Sequence, residues 1–226
     1  MNELHKGHRQ RVKARFLKEG LDHYEDHQIL EFLLFFAIPQ RDTNEIAHKL
    51  IAHFGSLSKV FEAEHSEILK IDSVGEHAAT LLTLIPQLSR RYTKDRWGER
   101  VLVNSVDTAG EYIKTLFLGR KYEVFYLICL DAQNQVIFPA LVHEGTINEA
   151  PIYPRLIVET ALRHHTHSVI LAHNHPSGSS KPSKADIEVT HKIIQALQGI
   201  DIAVIDHIII AGNEYSSLAQ LNLLRK

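Results

Sequence analysis

A single cysteine, Cys129, stands in a chain of 226 residues. No disulfide can form within the chain, and no cysteine-built zinc site can be assembled from it. Charge of one sign is also scarce, with a formal net charge of -2. No global basic excess argues for a nucleic-acid binder, and no acidic excess argues for disorder. Long apolar runs are missing: the longest, such as ILEFLLFFAI, are far short of a membrane span and are interrupted by Glu31. The opening residues, MNELHKGHRQRVKARF, lack the apolar core of a signal peptide. The expectation is a reduced, cytoplasmic protein with no membrane partner. At 44% hydrophobic and 23% charged, the composition suits a globular chain of one large or two small domains. Histidine is plentiful at 16 residues, which matters only where several converge in space.

The two halves of the chain differ in pattern. Residues 26–37 read as a dense apolar helix closed by Pro39. Thr43 can cap a second helix, NEIAHKLIAHF, which Gly55 ends. Short helices follow through FEAEHSEILKI and GEHAATLLTLIPQLSRRY, and no stretch here alternates with period two. The polar stretch TKDRWGERVLVN, residues 94–105, reads as a linker, which places two domains at 1–98 and 99–226. Beyond it the signals change. YEVFYLICL, residues 122–130, is almost continuously apolar, as a central strand covered on both faces would be. DAQNQ turns the chain into a returning strand, VIFPALV, so the two make a hairpin. A helix PRLIVETALRHH, a short buried strand SVILA, a helix from Ser183 to about Gln198 and a last strand DIAVIDHIIIA complete the pattern. This order predicts an α/β sandwich with a mixed sheet, preceded by a small all-α domain.

The chemistry concentrates in LAHNHPSGSSKPSKAD, residues 171–186. Residues i and i+2 of a strand face one side, so His173 and His175, directly after SVILA, can aim at one point. The loop PSGSSKP permits a sharp reversal. Ser183 then reads as a helix N-cap, with Asp186 at the third helical position in capping-box spacing. Two imidazoles and one carboxylate are a set that a catalytic zinc takes, keeping its fourth position for water. Hydrolysis by such a site needs a general base. The helix motif HExxH is absent, since His143-Glu144 is followed by Gly-Thr-Ile. The candidate bases are Glu123, Glu144, Glu149 and Glu159. Glu123 is the oddest of them, a carboxylate heading an otherwise apolar strand, where burial without a partner is costly.

These residues carry a resemblance. H-x-H-P, with seven residues between the second His and a Ser, and then S-x-x-D match the JAMM (JAB1/MPN) metalloprotease signature. HNHPSG, the GTIN of residues 145–148, Pro154-Arg155 and the DHIII of residues 206–210 resemble the RadC family in particular. Leu156 departs from it, because relatives usually carry an acidic residue there. The resemblance implies a JAMM/MPN, cytidine-deaminase-like sandwich. It implies that His173, His175 and Asp186 bind Zn2+, that Glu123 is the base and that Ser183 hydrogen-bonds the developing oxyanion. It implies a zinc hydrolase acting on a peptide or isopeptide bond, with a protein or peptide as substrate. The alternative is a DNA-associated repair factor, with DNA held by the N-terminal domain and the metal domain acting as nuclease or binding module. IDSVGEHAATLL resembles a helix-hairpin-helix, whose G-x-G turn offers N–H groups to a phosphate. Here Ser73 stands for the first glycine and only Gly75 remains.

Each feature also has a plainer reading. The histidines and Asp186 can be a polar loop and a capped helix, and Ser183 can be a cap alone. Glu123 can reach water or pair with Lys121. His164, His165 and His167 suit a helix end, where imidazolium complements the dipole. His207 reads as a satisfied core histidine, with a supporting role at the site as the alternative. Cys129 reads as a small apolar filler. The basic runs Lys6, Arg9, Arg11, Lys13, Arg15, Lys18 and Arg90, Arg91, Lys94, Arg96, Arg100 read as solvated faces, or else as phosphate-binding stripes.

Overall fold

A computed structural model describes residues 7–39, 41–97, 101–145 and 154–224. The chain forms two compact units, residues 1–88 and 89–226. Among the described residues no helix is long and apolar enough to cross a membrane.

The first unit is helical: α1 (His8–Glu19), α2 (Asp26–Leu34), α3 (Asn44–Phe54), α4 (Leu57–Glu62), α5 (His65–Ile68) and the start of α6 (Glu76–Trp97). Its core packs Leu30 and Leu34 of α2 against Ile46 and Leu50 of α3, with Val60, Ile68, Ala79 and Leu82. Apolar residues at spacings of three and four make this stripe. Thr43 does stand at the N-cap of α3, but its hydroxyl donates to the Glu31 carbonyl rather than capping the helix. Gly55 ends α3 in the left-handed region, at φ 95°. Ser73 also lies there, at φ 68°, where an L side chain is strained.

The second unit differs from the expected linker at its start. Residues 94–97 continue α6. Val101 and Val103 are buried and hydrogen-bond the hairpin: Val103 N–H donates to Asn134 O at 2.9 Å, and Val136 N–H donates to Val101 O at 2.8 Å. The alternation in VLV gives this short piece one face to bury against the turn. A helix absent from the sequence reading follows, α7 (Val106–Phe117). Ser105 caps it, and Ala109, Tyr112, Ile113, Leu116 and Phe117 bury one face. Gly110 lies in its middle because the Tyr215 ring presses there: a Cβ would come within 2.8 Å of that ring.

Among the described residues the sheet has five strands in the order β2-β1-β3-β4-β5. They are β1 (Val124–Leu130), β2 (Val136–Glu144), β3 (Ser168–Asn174), β4 (Ala203–Ala211) and β5 (Glu214–Ser217). The β3–β4 pair is parallel and the rest are antiparallel, so the mixed sheet of the expectation is present. The short edge strand β5 was not foreseen. Val124, Tyr126, Ile128, Ile170 and Ile208 face α7. Phe125, Leu127, Val169 and Leu171 face α8 (Pro154–Arg163) and α9 (Lys184–Gln198). Strands β1 and β3 are buried along both faces, which is why they read as continuous apolar runs rather than alternating ones.

Candidate metal centre

The site sits at the end of β3. His173 is the second-last residue of the strand and is fully buried, on the face that carries Phe125 and Leu171. The Phe125 ring stacks on its imidazole at 6.0 Å. His175 follows one step beyond, its backbone N–H held by Ile210 O at 2.8 Å. The reversal through PSGSSKP brings in the start of α9. There Ser183 N–H donates to Asp186 Oδ2 at 2.7 Å, and Asp186 N–H donates to Ser183 Oγ at 3.2 Å. The capping box therefore fixes the carboxylate's position. Asp186 is only 3% exposed and turns inward.

Three donor atoms converge. His173 Nε2 lies 2.9 Å from His175 Nε2 and 3.1 Å from Asp186 Oδ1. His175 Nε2 lies 3.4 Å from Asp186 Oδ2. Among the described residues this is the one group of three or more His, Cys, Asp or Glu side chains able to hold a metal ion, its ligand atoms within 4.8 Å of one another. His175 Nδ1 faces the Ser179 carbonyl at 2.7 Å. A carbonyl only accepts, so Nδ1 carries a proton, and whenever the ring is neutral its Nε2 is a bare lone pair turned inward. With the ring neutral, that nitrogen and the Asp186 carboxylate belong to a group that could hold a cation. The N,N,O set matches what zinc takes in open sites.

The electrostatics fit this arrangement. Burial alone would raise the Asp186 carboxyl, but the neighbouring His173 and His175 imidazoles and the Ser183 N–H hold it well below the usual range. The Asp186 hydrogen bond raises His175 above an ordinary imidazole, against its partial burial. Burial lowers His173, with Asp186 opposing. Burial and the neighbouring His173 push His207 well down.

Glu123 immediately precedes β1 and is half-buried. Its charge reaches both His173 and His175, favouring their protonated forms. Its backbone is held from two sides. Gly145 N–H donates to Glu123 O at 2.8 Å. On the other side Asn174 spans it, donating from Nδ2 to Tyr122 O at 3.0 Å and accepting from Val124 N–H at 2.7 Å. Asn174 was missed in the sequence. The available signal was its place between the two histidines, which turns it to the opposite side of the strand.

The other candidates lie elsewhere. Glu144 pairs with Arg120 at 2.8 Å, and Glu159 with Arg155 at 2.7 Å. Glu149 and the residues Thr146 to Asn148 lie outside the described residues. His164 stacks on Phe138 at 4.1 Å, and His165 closes α8 at φ 50°, away from the centre. Cys129 is buried in β1, where desolvation pushes its thiol up. Arg9 donates to the carbonyls of Phe35, Ile38 and Arg41, and Arg15 to Glu19 and the His23 carbonyl. Arg90 donates to Leu118 O.

Helices on both faces of a mixed sheet, with two imidazoles and a carboxylate meeting at the end of an inner strand, define an α/β protein with a three-donor candidate metal site. The family model described as RadC-like JAB domain matches residues 103–223. The chain is 35% identical over 225 residues to the UPF0758 protein FN0909 of Fusobacterium nucleatum, covering 96% of this chain and 97% of that protein. It is also 35% identical over 211 residues to the UPF0758 protein HEAR2468 of Herminiimonas arsenicoxydans, covering 93% and 94%. The chain belongs to the RadC family.

Proposed function

We propose that the protein is a zinc-dependent hydrolase that cleaves a peptide or isopeptide bond, with His173, His175 and Asp186 holding the metal. One observation carries the reading: two imidazole Nε2 atoms and a carboxylate converge within reach of the charge of Glu123. A zinc ion in such a site supplies a Lewis acid and brings the pKa of a bound water toward neutrality. Glu123 accepts the proton of the attacking water and later delivers it to the leaving amine. The clamp by Asn174 and Gly145 holds its backbone in place through both transfers. Ser183 caps α9 with an oxygen lone pair, which leaves its O–H able to donate to the developing oxyanion. Membership of a JAB-domain family supports the same class of chemistry. The partner proposed is a protein or peptide, the substrate class that this chemistry takes; in the basic first helix Arg9 and Arg15 hydrogen-bond acceptors of the chain itself, while Lys18 is exposed.

Elemental analysis tests the site: about one zinc per chain is expected. Glu123→Gln is expected to keep that zinc and to slow hydrolysis of peptide or isopeptide substrates by about 10²–10⁴-fold. Clean protein without zinc, or unchanged hydrolysis in Glu123→Gln, overturns the proposal.

A further inference from the structure

Thr190 and His207 take no part in the steps above, yet both are fully buried beside the centre. Pattern brings each of them there. The inward stripe of α9 is Asp186, Thr190, Ile193 and Leu197, so Thr190 lies one helical turn behind Asp186. His207 pairs with Leu171 across the β3–β4 ladder and so faces the same side as His173. The contacts run in a line. The Thr190 hydroxyl donates to the Asp186 backbone carbonyl. His207 Nδ1 lies 2.6 Å from Thr190 Oγ1, and His207 Nε2 lies 2.8 Å from His173 Nδ1.

The carbonyl sets the direction of the whole line. It cannot donate, so the single hydroxyl proton of Thr190 is committed to it. Thr190 Oγ1 must then accept from His207 Nδ1–H. Both ring nitrogens of His207 face neutral groups, and a fully buried imidazole so placed stays neutral. With its proton on Nδ1, its Nε2 is an acceptor. His173 Nδ1 is therefore the donor, and His173 Nε2 is left as a bare lone pair facing His175 and Asp186.

We infer that Thr190 and His207 are positioning residues that hold the proton of His173 on Nδ1, so that Nε2 is always presented for coordination. Asp186 closes the loop, since its carboxylate is one donor of the centre and its backbone carbonyl sets the tautomer of another. The opposite polarity would place a proton on His173 Nε2 and block it. The purpose of the relay rests on the metal reading above; the tautomer itself does not.

The tautomers can be read directly from histidine side-chain 15N shifts of the metal-free wild-type protein near neutral pH. His173 and His207 are both expected as Nδ1–H, and Nε2–H on either overturns the inference. Zinc affinity, measured by chelator competition on variants shown to be folded, gives the consequence. Thr190→Val and His207→Leu are expected to bind about 10–100-fold more weakly, with Thr190→Ser close to wild type. A merely structural role would lower the melting temperature of the metal-free protein and leave zinc affinity unmoved. Both variants binding within about threefold of wild type therefore overturns the inference. If a variant does not fold, the wild-type shifts still decide. If the wild type takes up no zinc, the metal reading fails while the shifts continue to test the relay.

Discussion

Helices α7 and α9 begin in the same way and end with different uses. Ser105 and Ser183 each stand at an N-cap in extended backbone. Each accepts the N–H three residues on, from Thr108 at 3.1 Å and from Asp186 at 3.2 Å. Each receives the reciprocal bond, since Thr108 Oγ1 accepts Ser105 N–H at 3.1 Å and Asp186 Oδ2 accepts Ser183 N–H at 2.7 Å. Both boxes satisfy helix-end donors that would otherwise lack partners. The box on α7 caps its helix, apart from the His173, His175 and Asp186 group. The box on α9 opens onto the end of β3, where its carboxylate meets two imidazoles. The same local code starts a helix in both places, and only the surroundings bring one of them to a candidate metal centre. Asp206 makes the point for charge. It is as buried as Asp186, at 5% against 3% exposed. Its hydrogen-bond partners are neutral (the Ser217 hydroxyl and the N–H groups of Ala219 and His207), and burial leaves its pKa raised where that of Asp186 is lowered.

The contrast between the boxes can be broken by substitution. The largest effect is expected from Asp186→Ala, which removes a proposed ligand. Zinc affinity should fall by more than the about 10–100-fold that outer partners contribute, whereas Thr108→Ala should leave it unchanged, as read by chelator competition. Next comes Ser183→Ala, with a loss of about 10²–10³ in turnover if its hydroxyl serves the oxyanion. Ser105→Ala should cost only about 1 kcal/mol of stability and no turnover, measured by denaturant unfolding and assay side by side.

The smallest effect is on pH. His175 has its pKa raised, so its proton stabilises the metal-free fold below pH 6.5, and that contribution is lost as pH rises through the raised value. Zinc needs the neutral ring, so its affinity moves the other way. It should fall by about tenfold per pH unit on acidification, beginning above the ordinary imidazole value. Thr108 has no proton to exchange in this range, so the α7 box should contribute no such slope. A zinc titration that is flat between acid and neutral pH would remove His175 from the ligand set.

Much of this was legible in the chain. The strands β1, β2, β3 and β4 and the helices α8 and α9 follow from apolar runs, turn residues and caps. The candidate donor set follows from His173 and His175 at a strand end and from Asp186 in a capping box. Less was legible where an element gives a weak local signal. α7 escaped notice although Ser105 and the spacing Ala109, Tyr112, Ile113, Leu116 announce it, because Gly110 interrupts the pattern for a reason 105 residues away in sequence, the Tyr215 ring. β5 is only four residues long and too short to show a period. Val101 to Val103 reads as part of a polar linker until the hairpin turn is there to pair with it.

The sequence by itself determined which residues could bind a metal, where the strands β1 to β4 and the cap of α9 fall, and to which family the chain belongs. Those properties are local, set by side-chain type, backbone preference and spacing of a few residues. Only the tertiary structure decided that Asn174 clamps Glu123 and that His207 and Thr190 face His173. These contacts cross 17 to 52 positions. They depend on strand register and on the angle at which α9 meets the sheet. Register is set by burying whole faces of β1, β3 and β4 together, and no short stretch of sequence carries that energy alone.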